Sequence, residues 1–154
     1  MDGFTVKQID EMERAFGGIF IRARAALGAS AFGMNIIDLP PLSGEAYPEH
    51  DHLHDGQEEV YFLLSGDADL VLPDRVVAMA ALGTMVRVAP ATRRRLRSGP
   101  AGARVMIIGA TPGLAYVPQE NSRLGGPETF GSPTVSTSMN PASPPPTLLL
   151  RGRF

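Results

Sequence analysis

Residues 44–72 carry much of the information in this chain, and they read GEAYPEHDHLHDGQEEVYFLLSGDADLVL. The first half of this stretch holds all three histidines of the protein among several carboxylates. The second half begins with the apolar run Val60–Leu64, passes a turn, and continues with Ala68, Leu70 and Leu72 at every second position. A period of two is typical of a half-buried β-strand, so a polar loop leading into strands is predicted.

Further short apolar segments flank this stretch, each bounded by proline, glycine or aspartate. They are Gly33–Leu39 before it, and Val76–Met79, Met85–Val88 and Val105–Ile108 after it. Short strands repeated about every 8–12 residues, with turn residues between them, are typical of an all-β sandwich or barrel. We therefore predict an all-β fold with its barrel over residues 30–116.

The N-terminal part has a different pattern. Residues 1–29 are predicted to form a short helix and a lead-in strand, with the helix over residues 5–16. Thr5 and Gln8 have the spacing of a capping box, in which each side chain bonds a free backbone N–H of the first turn. The apolar side chains of the following turns then share one helical face before a pair of glycines ends the run.

The C-terminal part is rich in proline and poor in charge. Eight of the 14 prolines lie at or beyond Pro112. Such a composition cannot bury a core, so residues 117–154 are expected to form a partly disordered tail. The apolar run Leu148–Leu150 is unusual in this setting; it docks on the barrel, docks on a second subunit, or has no role.

The composition narrows the functional classes. The 154 residues suffice for one domain with a sizeable core, and the absence of cysteine excludes disulfide scaffolds and thiolate chemistry. A net charge of −2 offers no basic field for nucleic acid, and no apolar run has the length of a membrane span. The N-terminus lacks a signal-peptide pattern, so we expect a cytoplasmic protein. Lys7 is the only lysine beside many arginines, which is typical of a GC-rich bacterial genome, so we also expect a bacterial source.

The histidines form the strongest chemical signal. His50, His52 and His54 stand at alternate positions, so on extended backbone their side chains point to the same side. Glu59 begins the next strand and could face them. Two imidazoles and one carboxylate can hold a divalent ion such as Fe, Mn, Ni, Zn or Cu with open positions for substrate. The alternative is a solvated acidic loop at a turn.

The spacing around these residues resembles the cupin family. Glu59 and Gly66 fit the end of the first cupin motif, G-x5-H-x-H-x(3,4)-E-x6-G, and Gly83 is placed to begin the second, G-x5-P-x-G-x2-H-x3-N. The remaining positions of the second motif are degenerate: Ala89, Ala91, Arg94 and Ser98. The chain is thus similar to small single-domain bacterial cupins of the cupin-2 type. The resemblance implies a jelly-roll barrel with a ligand pocket, and a homodimer.

Two registers of the first motif remain open. Gly44, His50 and His52 fit its front but leave six residues before Glu59, whereas His52, His54 and Glu59 fit its back but leave seven residues after Gly44. The candidate metal ligands are therefore Glu59, His52 and one of the two other histidines.

Arg94 stands where the family has a third histidine ligand. A guanidinium stays protonated and cannot coordinate a metal, so Arg94 would instead clamp an anionic substrate, pair with Glu59 or replace the metal. Strand alternation places Arg94 and Leu96 inside the barrel; a slip by one residue would place Arg95 and Arg97 there. Tyr61 lies on the same side as Glu59, so its phenol is a second candidate contact for a ligand.

Three functions stay open at this point. The first is a metal-dependent site with oxygenase, isomerase or lyase chemistry on a small anionic substrate, as the resemblance implies. The second is a metal-free module that binds or senses a small molecule through Arg94 and Glu59. The third is a metal-free enzyme that uses a pocket histidine as a base. Each expects a small-molecule ligand and neither nucleic acid nor membrane.

Overall fold

The computed structural model describes residues 3–129, and the tail beyond them, with Leu148–Leu150, lies outside the described residues. The regular secondary structure of the described residues is nearly all β-strand, which confirms the all-β prediction. The strands are β1 (Arg14–Ala15), β2 (Phe20–Ile21), β3 (Gly33–Leu39), β4 (Glu58–Val71), β5 (Val76–Met79), β6 (Met85–Val88) and β7 (Arg95–Ala110). One α-helix, α1 (Ala23–Leu27), and two 3-10 turns, Ile9–Glu11 and Glu120–Ser122, complete these elements.

All strand pairs are antiparallel, in the order β1-β2-β3-β7-β4-β5, with β6 also paired to β4. The two long strands, β4 and β7, pair along most of their lengths and form the centre of the sheet. The register of β4 shifts between Leu63 and Ser65 and again between Gly66 and Ala68, and such irregularities bend a strand. These bends let the sheet curve around an interior.

The interior is filled by alternate residues of the long strands. On β4, Tyr61, Leu63 and Leu70 are fully buried, and on β7 Leu96 and Val105 face them. The strand period seen in the sequence therefore separates the interior from the outer face. Burial of these apolar side chains is the main favourable contribution to folding, about 25 cal/mol per Å² of apolar surface removed from water.

The predicted helix over residues 5–16 is wrong. This segment contains only the turn Ile9–Glu11, Gln8 makes no capping hydrogen bond through its side chain, and strand β1 follows at once. Phe16 and the two glycines after it have positive φ, which folds the chain into a tight turn and pairs β1 with β2. Strand pairing at the edge of the sheet thus outweighs a local helical pattern.

The helix of this region lies later, at Ala23–Leu27, and ends at Gly28 in the left-handed conformation. Together with Met12, Ile21 and Ile36 it forms a second apolar cluster, separate from the cluster that fills the interior. No helix among residues 3–129 combines the length and the apolar character needed to cross a membrane.

Residues 117–129 pack against the N-terminal part. The buried Arg22 donates from Nε to the Asn121 carbonyl (3.0 Å) and from Nη2 to the Gly126 carbonyl (2.8 Å), and its Nη1 contacts Glu13. The Glu13 carboxylate also accepts from the Gly125 backbone N–H at 2.9 Å. These contacts hold the first part of the Pro-rich segment on the domain.

Candidate metal centre

The loop that carries the histidines is joined to the segment before β7. His50 and Arg94 exchange two backbone hydrogen bonds of 3.0 and 2.9 Å, and the His52 N–H donates to the Pro90 carbonyl at 2.8 Å. This short antiparallel pairing brings two imidazoles beside the Arg94 side chain. The sequence places these segments some forty residues apart, so only the fold unites them.

Glu59 enters the same region from the second position of β4. The strand has neighbours on both sides here, since Glu59 is opposite Val88 of β6 and Gly109 of β7. The Glu59 side chain is almost fully buried and points into the interior with Tyr61. A carboxylate on a central strand has little freedom to move, which makes it a rigid anchor for a site.

The structure brings His50, His52 and Glu59 together. His52 Nε2 lies 3.1 Å from Glu59 Oε1, and His50 Nε2 lies 3.7 Å from Glu59 Oε2. One ligand atom from each of the three residues lies within 4.8 Å of the others. His54 is placed outside this group: it is 53% exposed, and its Nε2 lies 3.3 Å from Asp55 instead.

In both clustered imidazoles, the nitrogen that points away from Glu59, Nδ1, lies within hydrogen-bond distance of an oxygen. His50 Nδ1 lies 3.2 Å from the Pro48 carbonyl, and His52 Nδ1 lies 3.0 and 3.1 Å from the two oxygens of Asp55. A carbonyl and a carboxylate accept hydrogen bonds, so Nδ1 of each ring is placed to donate, and Nε2 is the nitrogen on the Glu59 side.

His52 Nε2 is buried and has no hydrogen-bond partner among the described residues. It is close to Glu59 but not aligned for a hydrogen bond. An unpaired buried nitrogen, beside a second imidazole and a carboxylate, fits a divalent metal ion.

Arg94 occupies the far side of the cluster. Its side chain has no exposed surface, and it donates from Nη2 to Glu59 Oε2 at 2.8 Å and from Nη1 to the Thr92 carbonyl at 2.8 Å. Its Nε lies 3.3 Å from the Tyr61 hydroxyl, which itself donates to Glu59 Oε2 at 2.8 Å. One oxygen of Glu59 is therefore engaged by Arg94 and Tyr61, while Oε1 faces His52.

The alternation predicted for the arginine run is correct. Arg94 and Leu96 are both fully buried. The neighbouring arginines point outward and form ion pairs with carboxylates on the surface: Arg93 with Glu49, Arg95 with Glu45, and Arg97 with Asp69.

The charges of the cluster shift its pKa values. Burial by itself would raise the pKa of Glu59, yet its contacts with His50 and His52 and the charge of Arg94 lower that pKa far below the usual range. Burial by itself would lower the pKa of His52, but Glu59 and Asp55 raise it. Burial and the Glu59 charge raise the pKa of Tyr61, so its phenol stays protonated and donates.

Sequence reasoning did not assign Asp55 a contact with His52. The signal available was the Asp55-Gly56 pair, since Gly56 has a φ of 68° and donates from its N–H to the His52 carbonyl at 2.8 Å. This turn folds Asp55 back toward the His52 ring. An Asp-Gly pair that begins three residues after a histidine is a weak signal, because many loops contain such a pair.

Comparison with known proteins supports the fold. No family model and no curated protein matches the sequence. A cupin protein from Bacteroides fragilis matches the structure with a TM-score of 0.59 and 18% identity, covering 77% of this chain and 93% of its own. A sugar phosphate isomerase of the cupin superfamily from Silicibacter pomeroyi matches with a TM-score of 0.55 and 20% identity, covering 70% and 77%. With seven antiparallel strands over residues 3–129, the chain has the cupin jelly-roll fold.

Proposed function

We propose that this protein binds a divalent metal ion through His50, His52 and Glu59. The observation that carries the proposal is the convergence of three donor atoms within 4.8 Å, one of them a buried and unpaired imidazole nitrogen. Fe, Mn, Ni, Zn and Cu all accept two imidazoles and a carboxylate. Three protein ligands leave open positions, as a catalytic site requires.

The reaction we propose is oxygenase, isomerase or lyase chemistry on a small anionic substrate. A bound metal would supply Lewis-acid or oxygen-binding chemistry. Glu59 would then share its charge between the metal and Arg94, and the anionic group of the substrate would complete the charge balance. Arg94 and Tyr61 are the substrate contacts that we propose. One of the solved structures with the same fold is a sugar phosphate isomerase, which is a member of the proposed range.

Elemental analysis tests the metal. Protein made without a His tag, from cells grown with added transition metals, is expected to contain a stoichiometric ion. His52→Ala should lose that ion, because it removes the buried unpaired nitrogen. His54→Ala is the matched control and should retain it, because His54 lies outside the cluster. Substoichiometric metal in the wild-type protein would overturn the proposal.

A metal-free binding module is the second candidate, because Arg94 and Tyr61 already satisfy Glu59 Oε2. In this case small carboxylic acids should raise the melting temperature of the metal-stripped protein. The rise should disappear in Arg94→Ala, since the guanidinium is the cation that would pair with the acid. The metal-dependent function instead predicts that such stabilisation appears only after metal is restored.

We also propose that the protein forms a homodimer through the outer face of its sheet. Val60 and Phe62 of β4 point outward beside Met85 of β6 and Ile108 of β7, and Met85 is 65% exposed. An apolar patch across three strands favours a protein partner. Light scattering should give twice the mass of the chain, and Phe62→Glu should give the monomer. A monomeric wild-type protein would contradict this proposal.

A further inference from the structure

Asp55 is placed to control which nitrogen of His52 faces the cluster. Its two carboxylate oxygens lie 3.0 and 3.1 Å from His52 Nδ1, on the opposite side of the ring from Glu59. We propose that Asp55 is a positioning residue that holds the His52 proton on Nδ1 and so presents Nε2 as the ligand. This inference rests on the proposed metal-binding function.

The Asp55 carboxylate is itself held in place. The Gln57 backbone N–H donates to Asp55 Oδ1 at 3.0 Å, and the Thr111 hydroxyl donates to the Asp55 carbonyl at 2.9 Å. Thr111 directly follows β7, so the turn is tied to the end of a central strand. The carboxylate therefore meets the imidazole in a defined orientation and not as a mobile surface group.

The choice of nitrogen matters because a neutral imidazole carries only one N–H. Carboxylates flank both nitrogens of His52, and an ionised carboxylate only accepts hydrogen bonds. Asp55 places both of its oxygens at Nδ1, whereas Glu59 is not aligned with Nε2 and has its Oε2 engaged by Arg94 and Tyr61, so the form protonated at Nδ1 is favoured. The lone pair then lies on Nε2, the buried atom that has no other partner among the described residues. If the proton moved to Nε2, that nitrogen would face Glu59 with its N–H and could not bind a metal.

Asp51 provides a matched control within the same loop. Its carboxylate accepts from the Leu53 N–H at 3.1 Å and lies 3.7 Å from Arg93 Nη1, on the solvent side. The variants Asp51→Asn and Asp55→Asn each replace one carboxylate oxygen by an NH2 group, at positions four residues apart. Only the second change removes the carboxylate charge beside His52 Nδ1. In Asp55→Asn a neutral amide, with its oxygen held by the Gln57 N–H, replaces the carboxylate beside Nδ1. The Glu59 carboxylate, 3.1 Å from Nε2, is then the only charged acceptor at the ring among the described residues and draws the proton to Nε2.

Nitrogen-15 NMR of the histidine side chains tests this assignment on the metal-free, full-length protein at about pH 9, where histidine is ordinarily neutral. Wild type and Asp51→Asn should show His52 protonated at Nδ1, and Asp55→Asn should show it protonated at Nε2. A wild-type His52 protonated at Nε2 would overturn the inference, whether or not the variant folds. An Asp55→Asn protein that is folded and keeps the Nδ1 proton would overturn it as well.

Zn²⁺ titration against a competing chelator provides the second readout. Asp55→Asn should weaken Zn²⁺ binding by about 10–100-fold, the usual effect of losing such a partner of a ligating histidine. Asp51→Asn should leave the affinity unchanged. If the wild type binds no metal, the proposed function fails while the NMR result still decides the role of Asp55. If Zn²⁺ binds equally to both variants, the inference fails and the metal site stands.

Discussion

Arg94 and Glu59 form an ion pair inside the jelly roll, with Arg94 Nη2 2.8 Å from Glu59 Oε2 and no exposed surface on the arginine side chain. The family resemblance implies a metal-ligating imidazole at the position of this guanidinium. The chain therefore carries a permanent positive charge beside a cluster suited to a divalent cation. Tyr61 completes the arrangement by donating to the same carboxylate oxygen.

The contributions of Arg94 and Glu59 to the free energy of unfolding should depend on each other. Glu59→Gln leaves the buried guanidinium without its counter-ion, and we expect it to lower the free energy of unfolding by about 3–5 kcal/mol. Arg94→Gln should also destabilise, but less, because His50, His52 and Tyr61 still contact the carboxylate.

A double-mutant cycle in urea, with EDTA present, measures this coupling. The double variant Glu59→Gln/Arg94→Gln should be more stable than the sum of the single losses predicts, by about 0.5–3 kcal/mol. Additive losses would show that the two charges do not stabilise each other.

Removing the Arg94 charge should strengthen metal binding. A dication held by Glu59 is repelled by the guanidinium on the same carboxylate, by several kcal/mol at an effective dielectric constant of about 20. Arg94→Gln is therefore expected to bind Mn²⁺ or Zn²⁺ about tenfold more tightly or better, as measured by calorimetry. Arg93→Gln is the control, because Arg93 points outward and pairs with Glu49. Equal affinities of Arg94→Gln and wild type would contradict this expectation.

Two glycines of the motifs should differ sharply in their tolerance of alanine. Gly66 and Gly83 have similar positive φ angles of 75° and 83°, so alanine is strained by about 1 kcal/mol at either position. At Gly66, however, a Cβ would lie 2.0 Å from the backbone oxygen of Gly102, whereas at Gly83 nothing lies within 4 Å. Gly66→Ala should cost at least about 2 kcal/mol more in urea unfolding. Equal costs would show that the β4 bend can relax.

Asp38 should contribute to stability in a pH-dependent way. Its hydrogen bonds with Arg104, and with Arg14, lower the pKa of Asp38. A folded-state pKa below the unfolded value of about 4 means that this stabilisation is present above that value and is lost as the pH falls through the folded-state pKa.

Asp38→Asn should therefore reduce the difference between the unfolding free energies at neutral and at acidic pH, measured in urea. Glu11→Gln, which changes an exposed carboxylate in the neighbouring turn, should leave that difference as it is in the wild type. An unchanged difference in Asp38→Asn would contradict the expectation, because it would show that folding does not change the pKa of Asp38.

Local patterns were reliable where turn residues bound a short apolar segment. The predicted segments Gly33–Leu39, Val76–Met79 and Met85–Val88 coincide with β3, β5 and β6, and Arg94 lies inside as its alternation with Leu96 indicates. The pattern failed over residues 5–16, where helical spacing and a capping box suggested a helix. There the edge pairing of Arg14–Ala15 with Phe20–Ile21 prevails, because a short isolated helix has little stability of its own.

Strand alternation and turn spacing were enough to predict an all-β fold and to turn Arg94 inward, and the resemblance to the cupin motifs specified the jelly roll. The scarcity and spacing of the histidines, together with Glu59, indicated the site. Strand alternation is a local property, since successive residues of a strand must face opposite sides. The choice between His50 and His54 was not local. It depends on two backbone hydrogen bonds that join His50 to Arg94 across the fold, and on the turn that directs Asp55 onto His52. Spacing along a loop cannot express those contacts, because a loop acquires its conformation from the strands against which it packs.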